Sequence, residues 1–328
     1  MANNNEQFKA FHETIKATDA KRTKLRNNRE AIRNKIRKYF CENHEAEIQP
    51  KFRWQGSYAM RTILNPIKDE DGLGVYDLDD GVYFIGDTED DRQSIDWYHK
   101  EVCEAVKNHT GLGVDDIDPC VRVKYADGHH VDLAIYFKTD DDEHPQLAHR
   151  KDNWVESDPK EMISWFAGEC QDKTHLRELV RLMKAWCEYK RSEDVIMPSG
   201  CIMTMLTAKH YAWNDDGRFD IAMRDILTAM QEELSQPDGF HCYRPSAPVG
   251  EDLFANYDEK RKQDFLDELK AFMEDAKRAI ESKNPHKSCL KWQAHFGSRF
   301  CCSNAPDKDE DAQDMSKSGI IKNNSSFA

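Results

Sequence analysis

The chain has no run approaching the ~18 consecutive apolar residues that a membrane-spanning helix needs. Its first residues, Met1-Ala2-Asn3-Asn4-Asn5-Glu6, lack the basic start and apolar core of a signal peptide. A cytoplasmic location with no membrane attachment is the expectation. Positive charge is also scarce, with 47 Lys and Arg against 61 Asp and Glu and a formal net charge of −14. Nonspecific nucleic-acid binding relies on neutralising phosphates, so a broad surface of that kind is excluded. One local exception runs from Lys16 to Lys38 and includes Arg22, Arg26, Arg29 and Arg33. It reads first as the solvated face of a long helix and second as a polyanion-binding ridge. No CxxC pair occurs among the ten cysteines, and without an export route most are expected to be reduced and buried. His295 stands six positions before Cys301-Cys302, but no fourth ligand follows, so a structural zinc is not expected.

What is present suits a two-lobed soluble protein: 328 residues, 33% of them charged. Residues 6 to 45 carry Phe8, Phe11, Ile15, Leu25, Ile32, Ile36 and Phe40 at near-helical spacing and read as one long helix. From Trp54 to Phe137 the texture changes to short β-type runs. Asp127-Gly128 between Val121–Tyr125 and His130–Phe137 predicts a hairpin, and a helix is expected around Ser94 to Asn108. Helices return after about residue 155. Asp158 is the expected cap of the first of these, with Pro159 in its first turn and Glu161 reaching back. Further helices are expected near 199–213, 219–235 and 257–282. The expected division is 1–153 for the N-terminal helix and a mixed α/β core, 154–302 for a helical lobe, and 303–328 for a loose polar tail.

The chemistry is concentrated in three segments. Trp54-Gln55-Gly56-Ser57-Tyr58 precedes Tyr76-Asp77-Leu78-Asp79-Asp80-Gly81-Val82, and Val131-Asp132-Leu133-Ala134-Ile135 follows. In so acidic a chain about 11 acid-x-acid pairs arise by chance, so Asp77-x-Asp79 alone decides nothing. Its context does. Alternate residues of a strand share a face, which sets Asp77 and Asp79 side by side and turns Leu78 and Val82 to the core. Asp132 lies opposite the buried face made by Val131, Leu133, Ile135 and Phe137. Asp80 breaks the alternation and is expected in a bulge or turn with Gly81. Gly56-Ser57 can bring backbone amides and a hydroxyl close to phosphates. Tyr76, Tyr83 and Tyr136 are candidates for base stacking or for sheet packing.

These motifs together resemble the nucleotidyltransferase superfamily with a polymerase-β-like core, and more narrowly the cGAS/DncV-like family (CD-NTases). These are bacterial synthases of cyclic oligonucleotide messengers in CBASS anti-phage systems. Gln55-Gly56-Ser57, Asp77-Leu78-Asp79-Asp80-Gly81-Val82-Tyr83 and His130-Val131-Asp132-Leu133 carry the resemblance. Leu179 to Trp186 followed by Pro198-Ser199-Gly200 extends it into the helical region. The interval from Ser57 to Asp77 is longer than the family's usual spacing, and Asn65 to Gly74 reads as an insertion.

The resemblance implies an α/β (α+β) fold with a mixed sheet, a C-terminal helical lobe, and an active site in the cleft between them. It implies that Asp77, Asp79 and Asp132 hold two Mg²⁺, with Mn²⁺ as an alternative. Gln55, Gly56, Ser57, Lys184 and Ser199 would bind the nucleotide and its phosphates. Arg177 and Arg181 share a helical stripe with Lys184, and Arg122 is a further candidate to face the cleft. The implied reaction makes a cyclic di- or trinucleotide from NTPs, ATP and GTP foremost, for a separate effector to read. The acidic composition argues against activation by long nucleic acid. The end Ser326-Phe327-Ala328 is either a site of conjugation to a target or an ordinary terminus. The rival functions are a transferase acting on an RNA end or a protein, with the Lys16–Lys38 ridge as acceptor surface, and a silent nucleotide-binding scaffold.

Overall fold

A computed structural model describes residues 1–45, 48–68, 70 and 72–308. The proposed conjugation end at Ser326-Phe327-Ala328 lies outside the described residues. The β-type runs form one sheet of seven strands: β1 (Lys51–Trp54), β2 (Tyr76–Ile85), β3 (Val114–Ile117), β4 (Cys120–Lys124), β5 (His129–Lys138), β6 (Gln146–His149) and β7 (Asn153–Glu156). The order is β1-β2-β5-β4-β3, with β6 pairing β5 and β7 pairing β6. β2 and β5 run parallel, and every other pairing is antiparallel, so the sheet is mixed as expected. The Asp127-Gly128 hairpin forms, with Gly128 at φ +88° in the turn.

The parallel register sets the two faces. Leu78 lies opposite Val131, Asp80 opposite Leu133, Val82 opposite Ile135 and Phe84 opposite Phe137. This face packs beneath α2 (Asp19–Asn43), through Leu25, Ile32, Ile36 and Phe40. α4 (Ile95–Val106) adds Tyr98, Val102 and Val106. The bulge expected at Asp80 is absent. The strand continues through it, and Asp80 points into the apolar layer with no exposed surface. Arg33 makes this tolerable: its Nε and Nη2 donate to the two carboxylate oxygens at 2.7 and 2.5 Å.

The single helix expected over 6–45 is two helices with different partners. α1 (Asn5–Ile15) buries Phe8, Phe11 and Ile15 in the helical lobe, where the Phe8 ring lies 4.9 Å from Trp292 and 5.0 Å from Phe300. α2 restarts at Thr18, whose hydroxyl accepts from the Lys21 N–H at 3.2 Å. Both apolar stripes are real, but they face separate cores, and Lys16 between them pairs with Leu64 instead. The basic face of α2 is only partly solvated. Arg29 and Arg33 are turned inward, and Lys24 binds Asp127 at 2.5 Å.

The lobe comprises α5 (Pro159–Asp172), α6 (Leu176–Ser192), α7 (Gly200–Lys209), α8 (Phe219–Leu234), α9 (Glu259–Glu281) and α10 (Pro285–Phe296). Asp158 caps α5, accepting from the N–H groups of Lys160 and Glu161 at 2.9 and 3.1 Å. Glu161 does not reach back to the cap; it accepts from the Ala247 N–H at 2.8 Å. The cysteine reading needs amendment, because Cys289 and Cys302 form a disulfide. Of the eight free cysteines only Cys120, Cys187 and Cys242 are buried. His295 pairs with Asp275 at 3.1 Å. Residues 303–308, expected to be loose, are tied back by the Asn284 amide, which donates to Asp307 and to the Lys308 carbonyl. Among the described residues no helix is long and apolar enough to cross a membrane.

Candidate active site

The other face of the β2–β5 pair carries the polar residues. Asp77 stands opposite His130 and Asp79 opposite Asp132, so four side chains form the corners of a square on one face. Ligand atoms of Asp77, His130 and Asp132 all lie within 4.8 Å of one another. Further along the same face, beyond Gly81 and Ala134, Tyr83 and Tyr136 stack at 4.6 Å and are buried, so they are packing residues. Tyr76 borders the cleft and stacks on His129 at 5.4 Å.

Asp132 is held from its other side. Arg122 on β4 is its cross-strand partner, and the guanidinium Nε and Nη2 each donate to one carboxylate oxygen at 2.8 Å. Among the described residues no such clamp engages Asp79. Burial first, then repulsion from Asp77 and Asp132, pushes its pKa up to about 7, against the pull of Lys184 and Arg122. His130 is shifted the opposite way: burial lowers its pKa and favours the neutral ring.

The phosphate half of the site is tied to the same strand. The Gln55 N–H donates to the Asp79 carbonyl at 3.3 Å, and the chain then turns through Gly56 at φ +62° into the single-turn α3 (Gly56–Ala59). A Cβ on Gly56 would lie 1.8 Å from Asp79 Oδ2, so both the conformation and the space require glycine. Ser57 follows on the cleft wall, and among the described residues no hydrogen bond engages its hydroxyl.

The helical lobe closes the other side. Lys184 on α6 points into the cleft, and its Nζ donates to the Thr62 carbonyl at 3.2 Å. Burial lowers the Lys184 pKa, while Asp77 and Asp79 act to raise it. Ser199 also lines the cleft but uses its hydroxyl to cap α7, accepting from Ile202 N–H at 3.3 Å. The rest of the basic stripe is engaged elsewhere: Arg181 binds His12 and the Arg61 carbonyl, and Arg177 lies over Phe166. The cleft encloses about 850 Å³, within the range of small-molecule sites. Gln55, Gly56, Ser57, Asp77, Asp79, Lys184 and Ser199 thus line one cavity from its two sides.

The donor set fits a divalent cation. Donor atoms of Asp77, His130 and Asp132 converge, Asp79 shares their face, and burial first, then the like charge of Asp77 and Asp132, raises the Asp79 pKa. Sequence reasoning passed over one participant and named the other, Arg122, only as a candidate to face the cleft. His130 is two residues before Asp132 and therefore on its face. The clamp by Arg122 follows from counting back through the Asp127-Gly128 turn, which sets Lys124 opposite His130 and Arg122 opposite Asp132.

Residues 50–136 match the family described as cyclic GMP-AMP synthase DncV-like, nucleotidyltransferase domain. The chain carries a DncV-like nucleotidyltransferase domain. That domain contains the Gly56-Ser57 turn and all four corners of the square. A cyclic GMP-AMP synthase from Escherichia albertii is 32% identical over 152 residues, covering 43% of this chain and 32% of that protein. The match therefore spans about a third of the length of that curated relative. Beyond the nucleotidyltransferase domain, the fold extends over most of the chain. The apo form of Vibrio cholerae DncV superposes with a TM-score of 0.78 at 20% identity, covering 91% of this chain and 96% of that one. DncV bound to the linear intermediate 5′ pppA(3′,5′)pG gives 0.74 at 20% identity, covering 88% and 93%. At this identity the likeness establishes the fold: a nucleotidyltransferase core with a helical lobe across the cleft.

Proposed function

We propose that this protein is a cytoplasmic nucleotidyltransferase that joins NTPs, ATP and GTP foremost, into a cyclic di- or trinucleotide messenger for anti-phage defence. A separate effector would read the product. The observation that carries this reading is the cavity in which Gly56 lies against the Asp79 carboxylate while Lys184 faces the same space from the other lobe. A site that pairs a phosphate turn with clustered carboxylates suits a metal-bound triphosphate. The Escherichia albertii relative is a cyclic GMP-AMP synthase, and the fold is that of a protein captured with a linear dinucleotide.

Asp77, Asp79 and Asp132 would hold the divalent cations, with Arg122 fixing the orientation of Asp132. When bound there, such cations would supply charge neutralisation of the triphosphate and a lowered pKa for an attacking ribose hydroxyl. The rest is positioning. Gly56 lets the backbone approach the phosphates, Ser57 offers a free hydroxyl, and Lys184 supplies a cation from the opposite lobe. Ser199 and Gln55 line the same cavity. The hydroxyl oxygen bonds to the α-phosphorus as pyrophosphate leaves, and a second transfer in the same cleft closes the ring. A macromolecular acceptor would need the Lys16–Lys38 ridge, which has lost Arg29 and Arg33 to the interior.

Incubation with the four NTPs and Mg²⁺ or Mn²⁺, phosphatase treatment and mass spectrometry tests the proposal. A phosphatase-resistant cyclic species, absent from an Asp77→Asn/Asp79→Asn control, is the expected result. Linear products alone, or none with either metal, would overturn it.

A further inference from the structure

His130 stands apart from the other buried histidines of the sheet lobe. His99 engages both ring nitrogens, with Asp116 at 2.8 Å and the Ala148 carbonyl at 3.2 Å. His129 does the same with Asp127 at 2.5 Å and Asn28 at 2.9 Å. The His130 side chain is as enclosed as that of Asp132, 13% exposed in each case, yet among the described residues its ring makes no hydrogen bond. Its nearest charged neighbour is Asp132, 3.8 Å from Nε2. Its ring nitrogens are therefore left to solvent or to something outside the chain.

The sheet register decides what it faces. His130 is the parallel-strand neighbour of Asp77 and lies two residues before Asp132 on the same face. Donor atoms of these three residues fall within 4.8 Å of one another, close enough to converge on one ion. Arg122 already takes a lone pair from each oxygen of Asp132, which weakens that carboxylate as a ligand and increases the share left to Asp77 and His130. The square therefore offers a mixed oxygen and nitrogen set. Mg²⁺ favours oxygen and water, whereas imidazole is a ligand of first-row transition metals.

We propose that His130 is a direct ligand of the cation at this site, and that the site consequently takes Mn²⁺ or a later first-row divalent ion in preference to Mg²⁺. The role of that cation in transfer rests on the proposed function; its ligation by His130 does not.

Manganese electron paramagnetic resonance on the full chain tests this, with and without a non-reactive ATP analogue. Titration of the free Mn²⁺ signal gives affinity, competition with Mg²⁺ gives preference, and pulsed measurement detects nitrogen coupling to the bound ion. Bound Mn²⁺ should show that coupling and resist displacement by a tenfold excess of Mg²⁺. His130→Ala should abolish the coupling and weaken Mn²⁺ binding by about tenfold or more while affecting Mg²⁺ far less. Bound Mn²⁺ without nitrogen coupling, an unchanged preference in the variant, or no Mn²⁺ bound in either condition would overturn the proposal. The wild-type coupling stands even if the variant folds poorly. Nitrogen coupling without cyclic product would sink the proposed function and leave the ligand; cyclic product with no coupling would do the reverse.

Discussion

Arg33 holds both carboxylate oxygens of Asp80, at 2.7 and 2.5 Å, on the face of β2 opposite to Asp79. One strand thus carries two adjacent acids with different solutions, Asp80 buried and paired by the protein, Asp79 half-buried and left for a ligand. Arg33→Met leaves Asp80 unpaired in an apolar layer and should cost about 3–5 kcal/mol in urea denaturation. Arg33→Met/Asp80→Leu should recover most of that loss. Equal damage from the single and double variants would show that the pair does more than cancel its own burial.

Gly56 tests the phosphate turn. Gly56→Ala places a methyl 1.8 Å from Asp79 Oδ2 at a φ of +62°. Turnover should fall by about 10²-fold or more, since displacements near 1 Å at reacting groups have that effect. The far-UV circular dichroism should be unchanged, because the turn is a surface of the cleft and not of the core. Activity within a few-fold of wild type would remove Gly56 from the proposed site.

Lys184→Met removes the cation that faces the carboxylates from the helical lobe. Losing a hydrogen bond to a charged group costs about 1.5–3 kcal/mol, so kcat/KM for NTP should drop by about 10- to 150-fold. Arg181→Met, whose guanidinium binds His12 and the Arg61 carbonyl, should affect thermal stability before kcat/KM.

The pH dependence has a defined sign. Asp79 has a folded-state pKa near 7 against an ordinary value of 3.8. Between those values the metal-free folded protein holds a proton that the unfolded chain has released. Its stability therefore falls as pH rises through that window. A divalent cation needs the carboxylate charged and reverses the penalty. The gain in Tm on adding Mn²⁺ should grow from pH 5.5 to 8, measured by differential scanning fluorimetry. Asp79→Asn should flatten the trend.

The face that carries the carboxylates was legible because strand periodicity needs only local sequence. Leu78, Val82, Val131, Leu133 and Ile135 define one face, which leaves Asp77, Asp79 and Asp132 on the other. The hairpin at Asp127-Gly128 and the cap at Asp158 were legible for the same local reason. Asp80 was not, since an acid in an apolar row reads as an interruption unless its partner is known, and Arg33 is 47 residues away. The break after Ile15 was hidden similarly. Helical spacing records which residues are apolar, but not that two successive stripes seek different cores. His130 could have been read from its position, two before Asp132, but an imidazole beside three carboxylates drew no attention without the register.

The separation of α1 from α2 bears on the order in which the molecule can be completed. α1 finds its aromatic partners in Trp292, Phe296 and Phe300, far downstream in the sequence. The sheet, with α2 and α4 across it, can assemble from residues 19–156 while the ribosome is still working. Until α10 emerges, Phe8 and Phe11 have no such cover, and a nascent chain holds an apolar helix in waiting. The helical lobe is closed by α1 meeting α10, so the lobe that carries Lys184 is complete only once α10 has been made.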